Sequence, residues 1–135
     1  MRLDVHDETR TFTGLSEPWD RLHTLAGLLG PFSRFGWQFD WWRSLGPGRS
    51  LRLVVARRAG DVVGILPLFE EPGPIRTLAL VGSQGGGSDY LDVIAADPDV
   101  RRALLVHAVH ALRPDALLLD DLLDDSPTVP LLFAL

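Results

Sequence analysis

A chain of 135 residues with a formal charge of −5 and no cysteine has room for one domain with a real core. It has none for a disulfide framework, a thiolate nucleophile or a cysteine–zinc site, and its acidic balance argues against nonspecific nucleic-acid binding, which needs a basic footprint. The N-terminus lacks a basic-then-apolar signal pattern and no run of about 18 apolar residues is available to cross a membrane, so a cytoplasmic location is the expectation.

Met1 to Thr13 predicts a first strand, with Leu3, Val5 and Phe12 as its apolar points. Ser16 is suited to cap a helix whose first turn holds Glu17 and Pro18. Trp19, Leu22, Leu25, Ala26 and Leu29 follow helical spacing, and Gly30-Pro31 stops the run. Ser33 is suited to cap a second helix through Leu45, ended by Gly46-Pro47-Gly48. On this helix Trp37, Trp41 and Leu45 form one stripe, and Phe35, Phe39 and Trp42 form an adjacent one. Aromatic rings bury about 150–250 Å² each, so this surface needs broad cover. The cover is either the chain's own core or a seam against a second domain. Trp37, Trp41 and Trp42 are the interface candidates, and exposure of their rings favours the seam.

Leu51 to Arg58 and Val62 to Phe69 are β-branched-rich runs joined by Gly60-Asp61, a Gly-X pair that suits a type II′ hairpin turn. The second run is apolar at both parities, which predicts a central strand covered on both faces. Pro67 has no N–H for a ladder, so pairing on one side should fail there, at a bulge or strand end. Ile75 to Val81 reads as the next strand, broken by Gly82 to Asp89, and Asp89 to Ala95 as another. Pro98 to Leu112 has a helical stripe of Val100, Leu104, Leu105, Ala108, Val109 and Leu112, closed by Arg113-Pro114. Ala116 to Leu119 reads as a buried strand, and Ser126-Pro127 opens a further helix. The apolar run Leu131 to Leu135 suggests that something follows in related proteins or that another surface covers this end, since termini ordinarily fray in water. Hairpin signals followed by strand–helix–strand predict an α+β fold: four to six strands in a mixed, largely antiparallel sheet with flanking helices.

Four residues are candidates to line a ligand: Gln84, Asp89, Tyr90 and Asp92. Backbone amides of a glycine loop can cradle phosphate when a helix N-terminus follows at once, but Tyr90 to Ile94 reads as strand. Neither the P-loop nor the dinucleotide fingerprint is present. On an extended segment Asp89 and Asp92 point to opposite faces, so they are a poor paired-carboxylate device. Either one alone can act as a base or bind a substrate amine. The bland alternative is a loop cap for Asp89 and a hydrogen-bonded or solvated Asp92. His107 and His110 are three apart but lack the glutamate of a His-Glu-x-x-His site, and Asp120-Asp121 with Asp124-Asp125 lack EF-hand spacing. No metal site is expected.

Taken in order, Trp19-Asp-Arg-Leu22, Pro31-Phe-Ser33, Trp37 through Trp42, Gly60-Asp-Val-Val-Gly-Ile-Leu-Pro-Leu68, Ser88-Asp-Tyr-Leu-Asp92, Leu117-Leu-Leu-Asp-Asp-Leu122 and Ser126-Pro127 resemble the N-terminal half of the CelD/BcsL-like bacterial acetyltransferases. These are relatives of the GNAT and FemAB-type acyltransferases. Gln84-Gly-Gly-Gly87 also resembles the start of an acyl-CoA pyrophosphate loop, with Asp89 standing where that loop has Gly or Ala. The resemblance implies two GNAT-like lobes in full-length relatives, which transfer an acyl group from acyl-CoA to an amine or hydroxyl, often in envelope polysaccharide metabolism. Residues 1–135 correspond to a single N-terminal lobe, cut inside the helix after Ser126, with the C-terminal lobe absent. Acetyl-CoA or another acyl-CoA is the implied cofactor, held mainly by that second lobe. The implied partners are the second lobe or another copy of this chain, and a small-molecule or glycan acceptor. In this picture Asp89, Tyr90 and Asp92 line the acceptor side, and no catalytic residue of the family carries over to a numbered position. Two functional readings stand: an acyltransferase-related lobe that needs its second lobe for turnover, and a non-catalytic interaction lobe or truncated remnant.

Overall fold

The computed structural model describes all 135 residues. In chain order the elements are β1 (Arg2–His6), α1 (Thr9–Thr13), α2 (Ser16–Leu25), α3 (Phe35–Leu45), β2 (Ser50–Arg58), β3 (Asp61–Glu71), β4 (Thr77–Leu80), α4 (Pro98–His110), β5 (Ala116–Leu118) and α5 (Thr128–Leu132). The five strands lie in the order β1-β2-β3-β4-β5. All neighbours are antiparallel except β4 and β5, which run parallel across the α4 crossover. The fold is α+β, a mixed sheet with flanking helices.

Period-two alternation in the central strands sends side chains into two cores. Leu53, Val55, Ile65 and Phe69 face Phe12, Trp19, Leu22, Trp41 and Trp42 of α1 to α3. Val54, Ala56, Leu66, Leu68, Leu78 and Leu80 face Val100, Leu104, Leu105 and Ala108 of α4. The double cover explains why β3 is apolar at both parities. Gly64 sets how closely α4 can approach: a Cβ there would lie 2.5 Å from Val100 Cγ1 and 2.9 Å from Leu104 Cδ1.

Several boundaries differ from the sequence reading for local reasons. β1 stops at His6, and Phe12 belongs to α1, where it stacks on Trp19 with ring centroids 5.0 Å apart. Ser16 is the first residue of α2 and its side chain caps nothing. That helix ends at Leu25, before Gly30-Pro31, because Gly27 takes φ +66° and closes a Schellman motif. In it the N–H groups of Gly27 and Leu28 donate to Thr24 O and His23 O. Leu25 and Leu29 are therefore exposed and off the core stripe. The first N–H of α3 is satisfied by Asp20 Oδ1, leaving the Ser33 hydroxyl to donate to Tyr90 O. In the β2–β3 hairpin the loop is Ala59-Gly60, with φ of 51° and 86°, and Arg58 pairs with Asp61. Two positive φ values make the turn type I′ where Gly60-Asp61 had suggested type II′. Asp89 to Ala95 is extended only at its end, where Ile94 bridges Ile65, and α4 stops at His110.

Candidate functional site

The glycine loop arises from a single chemical deficit. Leu68 and Leu80 are the last ladder pair of β3 and β4, after which Val81 N–H donates to Pro67 O at 2.9 Å. Pro67 has no N–H to return, so the exchange cannot close. The chain leaves the sheet at Gly82, whose φ is +102°, and comes back at Ile94, which exchanges both backbone bonds with Ile65 at 2.9 Å. The failure expected at Pro67 is thus present, and the glycine-rich excursion occupies it. Gly82 must be glycine here, since a Cβ would lie 3.0 Å from Gln38 Nε2 and 3.1 Å from Leu91 Cδ2.

Side chains of α3 and the β5 exit hold the excursion. Trp41 Nε1 donates to Gly85 O at 2.9 Å, and Trp37 Nε1 donates to Ser88 Oγ at 2.7 Å. Gln84 Nε2 donates to Asp120 Oδ2 at 2.6 Å, and Leu91 N–H donates to Asp121 O at 3.0 Å. Gln38, buried on α3, donates to Phe32 O and Val81 O and keeps its Oε1 without a partner. The loops leaving the carboxyl ends of the one parallel pair, β4 and β5, are therefore tied to each other. Partial burial and the nearby carboxylates of Asp120 and Asp89 push the Asp121 pKa up.

Beyond these ties lies a cleft of about 280 Å³, bordered by the turn after α2 (Ala26–Leu29), Tyr90, Leu91, Asp92, Arg101, Leu123 and Asp125–Pro127. Its wall is a buried polar network. Asp92 Oδ1 accepts from Val93 N at 2.7 Å, Thr128 Oγ1 at 2.6 Å and Arg101 Nη1 at 3.1 Å, while Oδ2 accepts from Ser126 Oγ. Arg101 also donates to Val93 O, Ala95 O and Thr128 Oγ1. Burial lowers the Arg101 pKa and the adjacent Asp92 carboxylate opposes that shift. By contrast, the Tyr90 hydroxyl and the Asp125 carboxylate make no hydrogen bond within the chain. Tyr90 is exposed and held at φ 55°.

The sequence candidates therefore fall into different environments. Asp92 is buried in the network at the cleft wall, Tyr90 borders the same cleft, and Asp89 is exposed on the loop beside it. Gln84 is exposed and spans to Asp120. Trp41 and Trp42 are buried in the core, Trp42 donating to Thr9 Oγ1, whereas Trp37 is 36% exposed. The opening Gln84-Gly-Gly-Gly87 does not run into a helix N-terminus. α4 begins only at Pro98, and its cap is its own Asp97 carboxylate, which accepts from Asp99 N at 2.8 Å. No group of three or more histidines or carboxylates is placed to hold a metal ion. Sequence reasoning missed Arg101, Thr128 and Asp125. Arg101 had one legible signal: it stands three, four and seven residues before Leu104, Leu105 and Ala108, on the buried stripe.

No family model and no curated protein matches the chain. Among solved structures it is similar to the crystal structure of a probable acetyltransferase, at 14% identity and a TM-score of 0.58, over 99% of this chain and 87% of that one. At this identity the likeness is one of fold: the α+β arrangement is acetyltransferase-like. No helix is long and apolar enough to cross a membrane.

Proposed function

We propose that the chain is an acyltransferase-related domain, which moves an acyl group from acyl-CoA to an amine or hydroxyl acceptor, and that it belongs with the CelD/BcsL-like proteins. The observation carrying the reading is the cleft bordered by Tyr90, Leu91 and Asp92 of the glycine loop's return and by Leu123 and Asp125–Pro127 after β5, with the Asp92 network as its wall. A concave recess with a few polar groups at its rim is the usual form of a small-ligand site. The acetyltransferase-like fold supports the reaction class. With no cysteine in the chain, none of these residues can carry the acyl group as a protein thioester.

In this reading Asp125 accepts the acceptor's proton as its nucleophile attacks the thioester carbonyl, and the Tyr90 hydroxyl protonates the departing CoA thiolate. Both border the cleft and neither is engaged within the fold. Asp92 acts at one remove, by fixing the cleft wall. The acceptor class, sugar-linked or otherwise, and a second lobe completing the site beside Asp89 and Trp37 belong to the same proposal.

The test is CoA-thiol release from acetyl-CoA with a panel of amines and sugars, read with a thiol reagent. The protein contributes no thiol of its own. Acceptor-dependent release that falls by about 100-fold or more in Tyr90→Phe or Asp125→Asn supports the assignment. A second reading, a non-catalytic interaction lobe, is favoured by Asp97 and Asp99 closing the α4 N-terminus to a phosphate. Absence of both thiol release and acetyl-CoA-induced NMR shifts at Tyr90 and Leu91 would decide for it.

A further inference from the structure

The middle of the glycine loop borders a second recess, of about 240 Å³, lined by Trp37, Asp40, Trp41, Ser44, Leu45 and Gly86. Helical spacing builds it: Trp37, Trp41 and Leu45 form one row of α3, with Asp40 and Ser44 the row beside it. Trp37 presents the partly exposed ring and Trp41 is buried beside it, and their indole N–H groups are fixed by Ser88 Oγ and Gly85 O. Gly86 closes the rim, and a Cβ there would stand 3.0 Å from Trp41 Cδ1, so the loop approaches the ring as only glycine allows.

Asp40 makes neither an ion pair nor a hydrogen bond, although arginines lie close by. The Arg43 guanidinium sits over the Phe39 ring, 5.8 Å from its centroid. Arg49 pairs with Glu71 and lies over the Trp41 and Phe69 rings, 5.8 and 5.4 Å from their centroids. Arg49 is thus paired and Arg43 rests on Phe39, while the Asp40 carboxylate, in the same lining as Trp37, has no partner of its own.

From this arrangement we propose that the recess binds a small organic ammonium ion. Tryptophan is the strongest aromatic partner for a cation, and an exposed carboxylate at the same site adds a modest attraction. An anion would be repelled by Asp40, and a neutral ligand would gain nothing from it. Rings already locked by the glycine loop lose little freedom when the ion arrives. The site goes beyond the acyl-transfer reading: it uses neither Tyr90 nor Asp125, and shares only Trp37 with the surface given there to a second lobe.

The experiment is a titration of the full chain, without any thioester, by choline and by its neutral isostere 3,3-dimethylbutan-1-ol. The readout is the set of indole N–H peaks in a ¹H–¹⁵N spectrum. Choline should shift the Trp37 and Trp41 peaks saturably, with a dissociation constant on the order of millimolar, and leave Trp19 in place. Asp40→Asn should weaken binding by about five-fold, and Trp37→Leu should remove the Trp41 shift. Peak dispersion in each variant reports that it is folded. Equal shifts with the neutral isostere, or unchanged affinity in folded Asp40→Asn, would overturn the proposal, whatever the thiol-release assay shows.

Discussion

Arg101 Nη1 lies 3.1 Å from Asp92 Oδ1, and the two side chains are 5% and 6% exposed. One comes from the first turn of α4 and the other from the strand-like return of the glycine loop, while Ser126 and Thr128 bring the start of α5 to the same carboxylate. A charge this deep is tolerated only when it is paired and hydrogen-bonded; here Asp92 accepts four bonds, and Arg101 donates to Asp92, Thr128 and the carbonyls of Val93 and Ala95. The pair therefore fixes where the loop re-enters the sheet, and with it the wall of the Tyr90 cleft.

Breaking that pair from one side strands the other charge. Arg101→Met or Asp92→Leu alone should cost about 3–5 kcal/mol of stability in urea unfolding. The double variant should recover much of the loss, since an apolar pair leaves no buried charge behind. Additive losses in the cycle would show that the network's other bonds, and not this pair, hold the junction.

Gly64 makes a separate point about the opposite flank of β3. Its missing Cβ is the space into which Val100 and Leu104 pack. Gly64→Ala should destabilise by about 1–3 kcal/mol as α4 is pushed outward, despite the better strand propensity of alanine. A neutral result would mean that α4 can shift without loss.

Much of this was legible in the residues themselves. Pro67 announced the failure of pairing because a missing N–H is written in the sequence. The double cover of β3 was legible in its continuous apolar run. The Asp92 network was not, because its members are scattered over the chain and only the fold brings them together. Ser33 misled for a related reason: its hydroxyl suits a cap, but Asp20 reaches the α3 N-terminus and Ser33 serves Tyr90 O instead. Local chemistry offered Ser33 two partners, and tertiary placement chose between them.

His23 gives a pH dependence with a definite sign. It is buried, with Nε2 unpartnered. Burial first and the Arg34 charge second lower its pKa below the ordinary 6.5, against the opposing pull of Asp20 and the Gly30 backbone. The unfolded chain then takes up the proton before the folded one does. Stability should be full above about pH 6.5 and decline as the pH falls below it, until the folded-state value is passed. Thermal midpoints measured from about pH 7 to about pH 5 should show the decline, and His23→Phe should flatten it. An unchanged slope in that variant would assign the dependence to other groups.

The hairpin turn offers the reverse case, a position where the natural residue is the strained one. A type I′ turn needs positive φ at both central residues, and Ala59, at 51°, pays the steric cost of a Cβ that Gly60 avoids. Asparagine tolerates this region because its short polar side chain bonds to the local backbone. Ala59→Asn should therefore raise stability by about 1 kcal/mol, read as a higher urea midpoint with an unchanged slope. Gly60→Ala should lower it, since Gly60 is at 86°. A type II′ turn on Gly60-Asp61 would leave Ala59 an ordinary strand residue, and Ala59→Asn would then be neutral or harmful. The sign of that one substitution distinguishes the two turns in solution.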